Sequence, residues 1–138
     1  MSLADCRLID IPEVTTHVGS LCFAESNRSI PFDIRRIYYL YNMFEGVSRG
    51  FHAHVKLEQV LIAISGSMDV MLDDGNDKTV FHIGDPAKGS YIGPMVWREL
   101  SNFSESAVCL SLASEIYDEL DYIRDYDKFV TAVWVSQQ

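Results

Sequence analysis

The sequence has little cysteine, little basic charge and no long hydrophobic run, and each shortage argues against a class of protein. Its 3 cysteines form no Cys-x-x-Cys pair, which disfavours a disulfide framework and a zinc knuckle. The net charge of −9 argues against a nucleic-acid partner, because phosphate binding needs a basic surface. No apolar run approaches the roughly 18 residues of a membrane helix, and the first residues lack the pattern of a signal peptide. We therefore expect a cytoplasmic protein that does not bind membranes.

The chain is expected to form one domain, residues 1–138. Its length and its hydrophobic content of 48% are sufficient for a buried core. No internal repeat, low-complexity segment or linker-like stretch divides the sequence, so a second domain is not predicted.

Short strands are predicted for most of the chain. Apolar or β-branched runs alternate with turn residues, and these runs cover 34–41, 59–64, 68–72, 79–83, 91–92 and 107–112. The dipeptide Asp74-Gly75 separates two of the runs and is a typical hairpin signal. Many short strands at spacings of roughly ten residues are typical of an all-β antiparallel sandwich or barrel.

The tail, about 114–130, differs from the rest because it contains no glycine or proline. Ile116, Leu120 and Ile123 follow one another at helical spacing. The pattern predicts one or two short C-terminal helices that pack outside the sheets.

The most informative feature is a histidine pair, His52 and His54, on one predicted strand. Alternate side chains of a strand share a face, so the two imidazoles point the same way, roughly 7 Å apart along the strand. Two imidazoles in one pocket are suited to proton transfer or to metal binding. A pair of surface or hydrogen-bonded core histidines is the alternative interpretation.

The spacing of His52, His54 and Glu58 resembles the first motif of the cupin barrels, where these residue types hold a metal ion. The fourth ligand in that family is usually a histidine that follows a Pro-Gly turn. In the corresponding segment here, 92–99, Arg98 stands at that place. A guanidinium has no lone pair to donate and repels a divalent cation. We therefore expect no metal and no cofactor.

A narrower resemblance extends from about residue 8 to residue 130. The chain resembles the sugar 3,4-ketoisomerases that act on dTDP-4-keto-6-deoxyglucose, in the stretches 30–32, 35–39, 49–54, 57–61, 66–67, 72–75, 91–97 and 117–126. The resemblance implies a cupin-type antiparallel β-barrel, or jelly roll, and catalysis without metal. It further implies a dTDP-linked 4-keto-6-deoxy sugar as substrate and a homodimer with exchanged N-terminal strands.

Moving a ketone from C4 to C3 needs a base at C3, stabilisation of an enediol or enediolate, and an acid at C4. A neutral imidazole, with an ordinary pKa near 6.5, is able to take a proton and return it. By resemblance we assign His52 as the base and His54 as a second proton handler or enediolate donor. The sequence does not determine their order.

Three arginines are candidate substrate contacts. Arg98 either carries negative charge of the intermediate or the diphosphate, or forms an ion pair, for example with Glu99. Arg49 has the opposite strand parity to the histidines and reaches a ligand only at a bulge or a strand end. Arg36 shares the parity of Tyr38, and its guanidinium suits phosphate geometry.

Tyr38 and Tyr39 alternate across a strand, so one of them is expected to face inward. An inward tyrosine donates to a sugar oxygen, stacks on thymine or packs in the core. Glu58, without a metal to bind, either orients a histidine or pairs with Lys56 or Arg98.

One position departs from the family pattern. Family members commonly carry an Arg-Gly pair near the N-terminus, whereas this chain has Val18-Gly19. If that arginine binds phosphate or reaches a partner's site, the contact is missing here. This departure favours one alternative, a catalytically silent cupin that binds a sugar nucleotide. A 3,5-epimerase-like cupin, which also uses a histidine base and dTDP sugars, is the other alternative that stays open.

Overall fold

The computed structural model describes residues 3–138, and these residues are mostly β-strands. The strands are β1 (Arg7–Asp10), β2 (Glu13–Thr16), β3 (Gly19–Cys22), β4 (Arg36–Leu40), β5 (Arg49–His54), β6 (Gln59–Ser65), β7 (Met68–Asp73), β8 (Lys78–Ile83), β9 (Lys88–Ile92), β10 (Trp97–Ser101), β11 (Val108–Ala113) and β12 (Tyr122–Ile123). Helix α1 covers Tyr126–Ser136, and short 3-10 turns cover Leu3–Asp5 and Glu119–Asp121. No helix in this part of the chain is long and apolar enough to cross a membrane.

The strands form two five-stranded sheets and a separate hairpin. The first sheet has the order β1-β9-β6-β11-β4, and the second has the order β12-β5-β10-β7-β8. Strands β2 and β3 pair only with each other. All pairs of named strands are antiparallel, which confirms the predicted all-β antiparallel class.

The main core lies between the two sheets. Alternate residues of β7, namely Met68, Val70 and Leu72, are fully buried, as strand alternation requires. They pack in one cluster with side chains of the facing sheet such as Leu61 and Cys109. Burial of these apolar groups from both sheets is the chief stabilisation of the sandwich.

The predicted hairpin at Asp74-Gly75 is confirmed, because β7 and β8 pair directly on either side of it. Gly75 has a φ of +92°, which favours glycine. The Asp74 Oδ1 accepts hydrogen bonds from the backbone N–H groups of Asn76 and Asp77, at 2.9 and 2.8 Å. Turn-forming residues of this kind can be recognised from the sequence alone.

The predicted helical tail is wrong over most of its length. Residues 114–118 are irregular, and Ile116 and Leu120, expected to face the protein, are 61% and 90% exposed. The chain then forms the short strand β12, which pairs with β5. The pairing of β12 with β5 at the edge of the second sheet determines the conformation here, in spite of the helical spacing of the apolar residues.

The C-terminal helix begins later than predicted, at Tyr126. Asp125 caps it, because its side chain accepts a hydrogen bond from the Lys128 backbone N–H. Phe129 and Val133 on one face of the helix pack with Trp97 on the outer side of the second sheet. The helix thus covers the back of the strands that form the site.

Candidate active site

A cavity of about 470 Å³ opens between the two sheets. It is within the usual range for small-molecule sites. Both sheets contribute to its wall, which is formed by Arg36, Ile37, Tyr38, Leu40, Arg49, Gly50, His52, Gln59, Leu61, Arg98, Leu100, Cys109, Tyr122 and Arg124. Four of these side chains are cationic and none is acidic, so the cavity suits an anionic ligand.

A β-bulge in β5 positions the first histidine. Arg98 pairs with His52, but the next residue, Glu99, pairs with Gly50, which leaves Phe51 as an extra residue. Gly50 and Phe51 have φ values of +95° and +59°. Bulges re-aim side chains in this way, and here the bulge places Arg98 directly across from His52.

The hydrogen bonding of His52 determines its tautomer. Its Nδ1 lies 3.0 Å from the Gly50 carbonyl oxygen, which only accepts, so Nδ1 carries the proton and donates. In the neutral ring the Nε2 then holds the lone pair, and this atom is buried without a hydrogen-bond partner among residues 3–138. His52 is therefore arranged as a base.

The second histidine lies behind the first. The His52 and His54 rings meet edge to face with centroids 4.9 Å apart, and both contact the ring of Tyr122, at 5.0 and 4.3 Å. The His54 Nδ1 lies 3.1 Å from the Asp121 Oδ2, so it donates to that carboxylate. Asp121 also accepts the backbone N–H of Lys56 at 2.8 Å, which holds it in place.

Both histidines are neutral at physiological pH. Desolvation by burial, followed by the nearby positive charge of Arg98, lowers the pKa of His52 to about 4. The same two causes hold the pKa of His54 well below its usual range. The cavity thus contains an uncharged imidazole beside a fixed guanidinium.

Arg98 is 2% exposed, and its guanidinium donates hydrogen bonds to two oxygen atoms that carry no formal charge. Its Nη1 donates to the Gln59 Oε1, and its Nη2 donates to the Val96 carbonyl oxygen at 2.8 Å. Burial lowers the pKa of Arg98 to about 10, so it stays protonated at neutral pH. The expected pair with Glu99 is absent, since Glu99 accepts from the Trp97 Nε1 at 2.9 Å.

Aromatic rings and arginines alternate at the cavity wall. The Arg124 guanidinium lies over the Tyr122 ring at 4.2 Å, and Arg36 lies over the rings of Tyr38 and Tyr117 at 5.4 and 5.6 Å. Cation–π contacts at this range hold the guanidinium groups in place. The Arg36 Nε is buried without a hydrogen-bond partner in the described chain.

The structure brings five of the eight predicted site residues to the cavity, namely Arg36, Tyr38, Arg49, His52 and Arg98. Arg49 reaches it because the bulge interrupts the alternation between Arg49 and His52. His54 is buried directly behind the wall.

The other two predicted residues lie elsewhere. Tyr39 is 59% exposed and packs against Tyr41, so Tyr38 is the inward member of the pair. Glu58 accepts a hydrogen bond from the Tyr91 hydroxyl at 2.6 Å and does not line the cavity. Among the described residues Glu58 bonds to neither histidine and forms no ion pair with Lys56 or Arg98, so the expectation that it orients a histidine or pairs with one of these cations is wrong.

Sequence reasoning missed Gln59, Asp121, Tyr122 and Arg124. Of these four, only Gln59 could have been found from the sequence. It begins β6 as a single amide in a run of apolar residues, and a buried polar side chain needs a hydrogen-bond partner. The other three lie in the tail that was interpreted as helix, where their approach to β5 cannot be seen.

No group of three or more His, Cys, Asp and Glu side chains within residues 3–138 is arranged to hold a metal ion. Arg98 occupies the position next to the histidines instead, with its charge directed at the same cavity. The site is therefore a cationic pocket that contains an imidazole base.

Comparison with known proteins agrees with this geometry. The family model described as "FdtA: WxcM-like, C-terminal" matches residues 4–134. A TDP-4-oxo-6-deoxy-alpha-D-glucose-3,4-oxoisomerase from Aneurinibacillus thermoaerophilus is 47% identical over 123 residues, which is 89% of this chain and 88% of that protein. The chain therefore belongs to the WxcM-like, C-terminal (FdtA) family.

Solved structures have the same architecture. The sugar 3,4-ketoisomerase QdtA from Thermoanaerobacterium thermosaccharolyticum, in complex with TDP, is 41% identical with a TM-score of 0.94, covering 98% of each chain. A variant of that enzyme with one histidine replaced by asparagine, in complex with TDP-4-keto-6-deoxyglucose, is 41% identical with a TM-score of 0.92, covering 96% of each chain. The two facing sheets are thus the cupin-type barrel that the sequence resemblance implied.

Proposed function

We propose that this protein is an isomerase that moves the keto group of TDP-4-keto-6-deoxyglucose from C4 to C3. The observation that carries the proposal is the register pair of His52 and Arg98, a neutral base opposite a fixed cation in one cavity. Two relatives support it: the 47% identical protein is named as a 3,4-oxoisomerase of this sugar, and the 41% identical 3,4-ketoisomerase QdtA is solved with TDP and, as a histidine variant, with TDP-4-keto-6-deoxyglucose.

The proposed reaction needs only proton transfers. The His52 Nε2 takes the proton from C3, which is acidified by the neighbouring C4 carbonyl. The C3–H electrons form a C3=C4 double bond, and the C4 carbonyl oxygen gains negative charge. A proton leaves O3 and one is added to O4; a proton then returns to C4 as the C3 carbonyl forms. No redox cofactor is consumed, because the oxidation at C3 balances the reduction at C4.

Arg98 is suited to stabilise the oxyanion that forms in this step. Its guanidinium is buried, and its Nε has no hydrogen-bond partner among the described residues. Fixed donors that meet developing charge in a water-excluded site contribute strongly to catalysis. Arg36 and Arg49, which are less buried than Arg98, are assigned to the diphosphate, since one guanidinium is able to donate two parallel hydrogen bonds to phosphate oxygens.

His54 has a supporting role in this proposal. Asp121 holds its Nδ1 proton, which leaves the Nε2 as an acceptor on the side of the ring that faces away from the carboxylate. The ring is in contact with both His52 and Tyr122. We assign it to proton movement between O3 and O4, or to the orientation of His52.

A homodimer with exchanged N-terminal strands is the proposed assembly. The hairpin of β2 and β3 pairs with neither large sheet and exposes Val14, Val18 and Leu21 at 53%, 83% and 58%. Exposed apolar side chains grouped on one arm favour burial against another surface. A second copy of the chain provides that surface in the proposal.

The test is incubation with TDP-4-keto-6-deoxyglucose, followed by NMR of the product. We expect the ketone at C3, and we expect His52→Asn to bind TDP without turnover. A product that keeps its ketone at C4 with inverted ring carbons would assign a 3,5-epimerase. Binding of TDP with no change in the sugar would assign a silent binding protein, the alternative that Val18 favours.

A further inference from the structure

Gln59 is a buried amide whose orientation is determined by its neighbours. It is 1% exposed, and its Nε2 donates to the Tyr38 hydroxyl at 3.0 Å and to the Ser111 hydroxyl at 2.8 Å. Its Oε1 accepts from the Arg98 Nη1. Because a guanidinium only donates, the amide oxygen must face Arg98.

Arg98 has no acidic partner in the described chain. Its two hydrogen-bond acceptors are the Gln59 amide and the Val96 carbonyl, and it forms no ion pair with any carboxylate of residues 3–138. A buried cation is usually paired with an anion, because an unpaired charge in the interior is costly. The charge of Arg98 is thus not neutralised by a direct ion pair, and the Asp121 carboxylate acts on it only through space.

We propose that Gln59 is a positioning residue that fixes the Arg98 guanidinium opposite His52 with a neutral hydrogen bond, which leaves Arg98 without a direct counter-ion and its charge available to the oxyanion formed at the sugar. A carboxylate at this position would hold Arg98 equally well but would neutralise it. Tyr38 and Ser111 act through Gln59, since their hydroxyls accept hydrogen bonds from its Nε2 and hold the side chain in place. The inference rests on the proposed ketoisomerase function.

The same arrangement links Gln59 to the protonation of His52. The charge of Arg98 is the second-largest cause, after burial, of the low pKa of His52, while Arg124 lowers that pKa further and Glu119 opposes the shift. A negative charge next to Arg98 would offset that effect and raise the pKa of His52. The acid limb of kcat/KM, which reports the base in the free enzyme, would then move to higher pH.

The test is Gln59→Glu, which keeps the size of the side chain and adds one negative charge. The hydroxyls of Tyr38 and Ser111 are able to rotate and donate to the new carboxylate, so the fold is expected to tolerate it. We expect kcat to fall roughly 10- to 1000-fold, the scale of losing one oxyanion donor, while TDP affinity changes by less than about threefold. The acid limb of kcat/KM is expected to shift to higher pH.

Two further variants complete the design. Gln138→Glu makes the same change of charge at the exposed C-terminus and is expected to leave kcat and the pH profile unchanged. Gln59→Met removes the acceptor without adding charge, and we expect kcat to fall while the acid limb stays in place. Since this variant adds no charge, it also decides the question if Gln59→Glu does not fold.

The outcomes separate the inference from the function beneath it. Wild-type protein that turns over, together with Gln59 variants of unchanged kcat and pH profile, would overturn the positioning role and leave the isomerase intact. Wild-type protein that binds TDP but never moves the ketone would overturn the proposed function itself. A lower kcat with a shifted acid limb only in Gln59→Glu supports the inference.

Discussion

At the scale of single residues, burial decides the chemistry of the site. The His52 ring is held in one tautomer by a backbone carbonyl, and its pKa is lowered chiefly by desolvation. Strand alternation was sufficient to predict that His52 and His54 share a face. Their tautomers, and the carboxylate of Asp121 next to His54, depend on contacts that only the folded chain makes.

The low pKa of His52 predicts an unusual pH profile. A base must be unprotonated to act, and a pKa of about 4 keeps the imidazole neutral far below its ordinary value near 6.5. We expect kcat/KM to be flat between about pH 6 and pH 8 and to decline only as pH approaches 4. Initial rates across this range, with circular dichroism at each pH as a control for folding, provide the measurement. A half-maximal rate at pH 6.5 or above would contradict the buried environment assigned to His52.

Residue type alone did not separate site residues from structural ones. Glu58 matches a metal ligand of related barrels in spacing, yet its carboxylate accepts a hydrogen bond from the Tyr91 hydroxyl of β9. Tyr38 and Tyr39 have the same chemistry, and only the sheet orientation places Tyr38 in the cavity. Predicting these cases requires knowledge of which face of each strand meets the other sheet.

At the scale of elements, the bulge in β5 is the feature that assembles the site. It aligns Arg98 with His52 and turns Arg49 towards the same cavity. A Cβ at Gly50 would lie 2.9 Å from the Arg98 carbonyl oxygen, so the close approach of β10 requires glycine there. The sequence shows the glycine but not the extra residue, because a bulge is defined by the partner strand.

Gly50→Ala is therefore expected to impair activity as well as stability. The new methyl group forces β10 away from β5, and a displacement of about 1 Å at a catalytic group costs on the order of 100-fold in rate. Gly46→Ala is the matched control, because Gly46 also has a positive φ, +75°, but a Cβ there would meet no atom within 4 Å. Kinetics and thermal unfolding of both variants test this. Equal effects of the two substitutions on kcat would contradict the role given to the bulge.

Helix α1 supports the site from behind through one buried aromatic ring. Phe129 is fully buried and packs against Trp97, the neighbour of Arg98 in β10. Truncation to alanine leaves a cavity, so Phe129→Ala is expected to lower the free energy of unfolding by about 3–5 kcal/mol. Trp134 lies on the same helix but is 63% exposed, so Trp134→Ala is expected to lower the free energy of unfolding by less than about 1 kcal/mol. Urea unfolding of both variants is the measurement, and similar losses would disprove the packing described for α1.

The tail shows why some elements resist prediction. Ile116, Leu120 and Ile123 have helical spacing, but the Asp118 side chain caps a short 3-10 turn and the chain then pairs with β5. Local periodicity competes here with a strand edge that is distant in sequence. The hairpin at Asp74-Gly75 has no such competitor, and its prediction was correct.

At the scale of the whole molecule, the two large sheets form the site between them, whereas β2 and β3 pair only with each other. Strand spacing was sufficient to predict an all-β antiparallel sandwich or barrel, since apolar alternation and turn residues are local signals, and the cupin-type barrel came from the family resemblance. The assembly is a prediction that still requires a measurement. It depends on the exposed apolar side chains of the hairpin.

Leu21→Glu is expected to weaken the proposed dimer. Leu21 is 58% exposed on β3, and a carboxylate there opposes burial of the hairpin in a second copy. Val80→Glu makes the same change of charge at a 56% exposed position on β8 and serves as the control. Light scattering at several concentrations should show a dimer for the wild type and Val80→Glu, and a larger monomer fraction for Leu21→Glu. A monomeric wild type would contradict the proposed exchange of strands.

The central claim is that a neutral His52 removes the proton from C3 of the sugar, and breakage of the C3–H bond tests it most directly. TDP-4-keto-6-deoxyglucose carrying deuterium at C3 is incubated with the wild type and with His52→Asn, and the label is followed by NMR. We expect the wild type to remove deuterium from C3 as the ketone appears there, and His52→Asn to leave the label in place. Deuterium retained at C3 by folded, TDP-binding wild type, or lost equally fast with His52→Asn, would contradict the account.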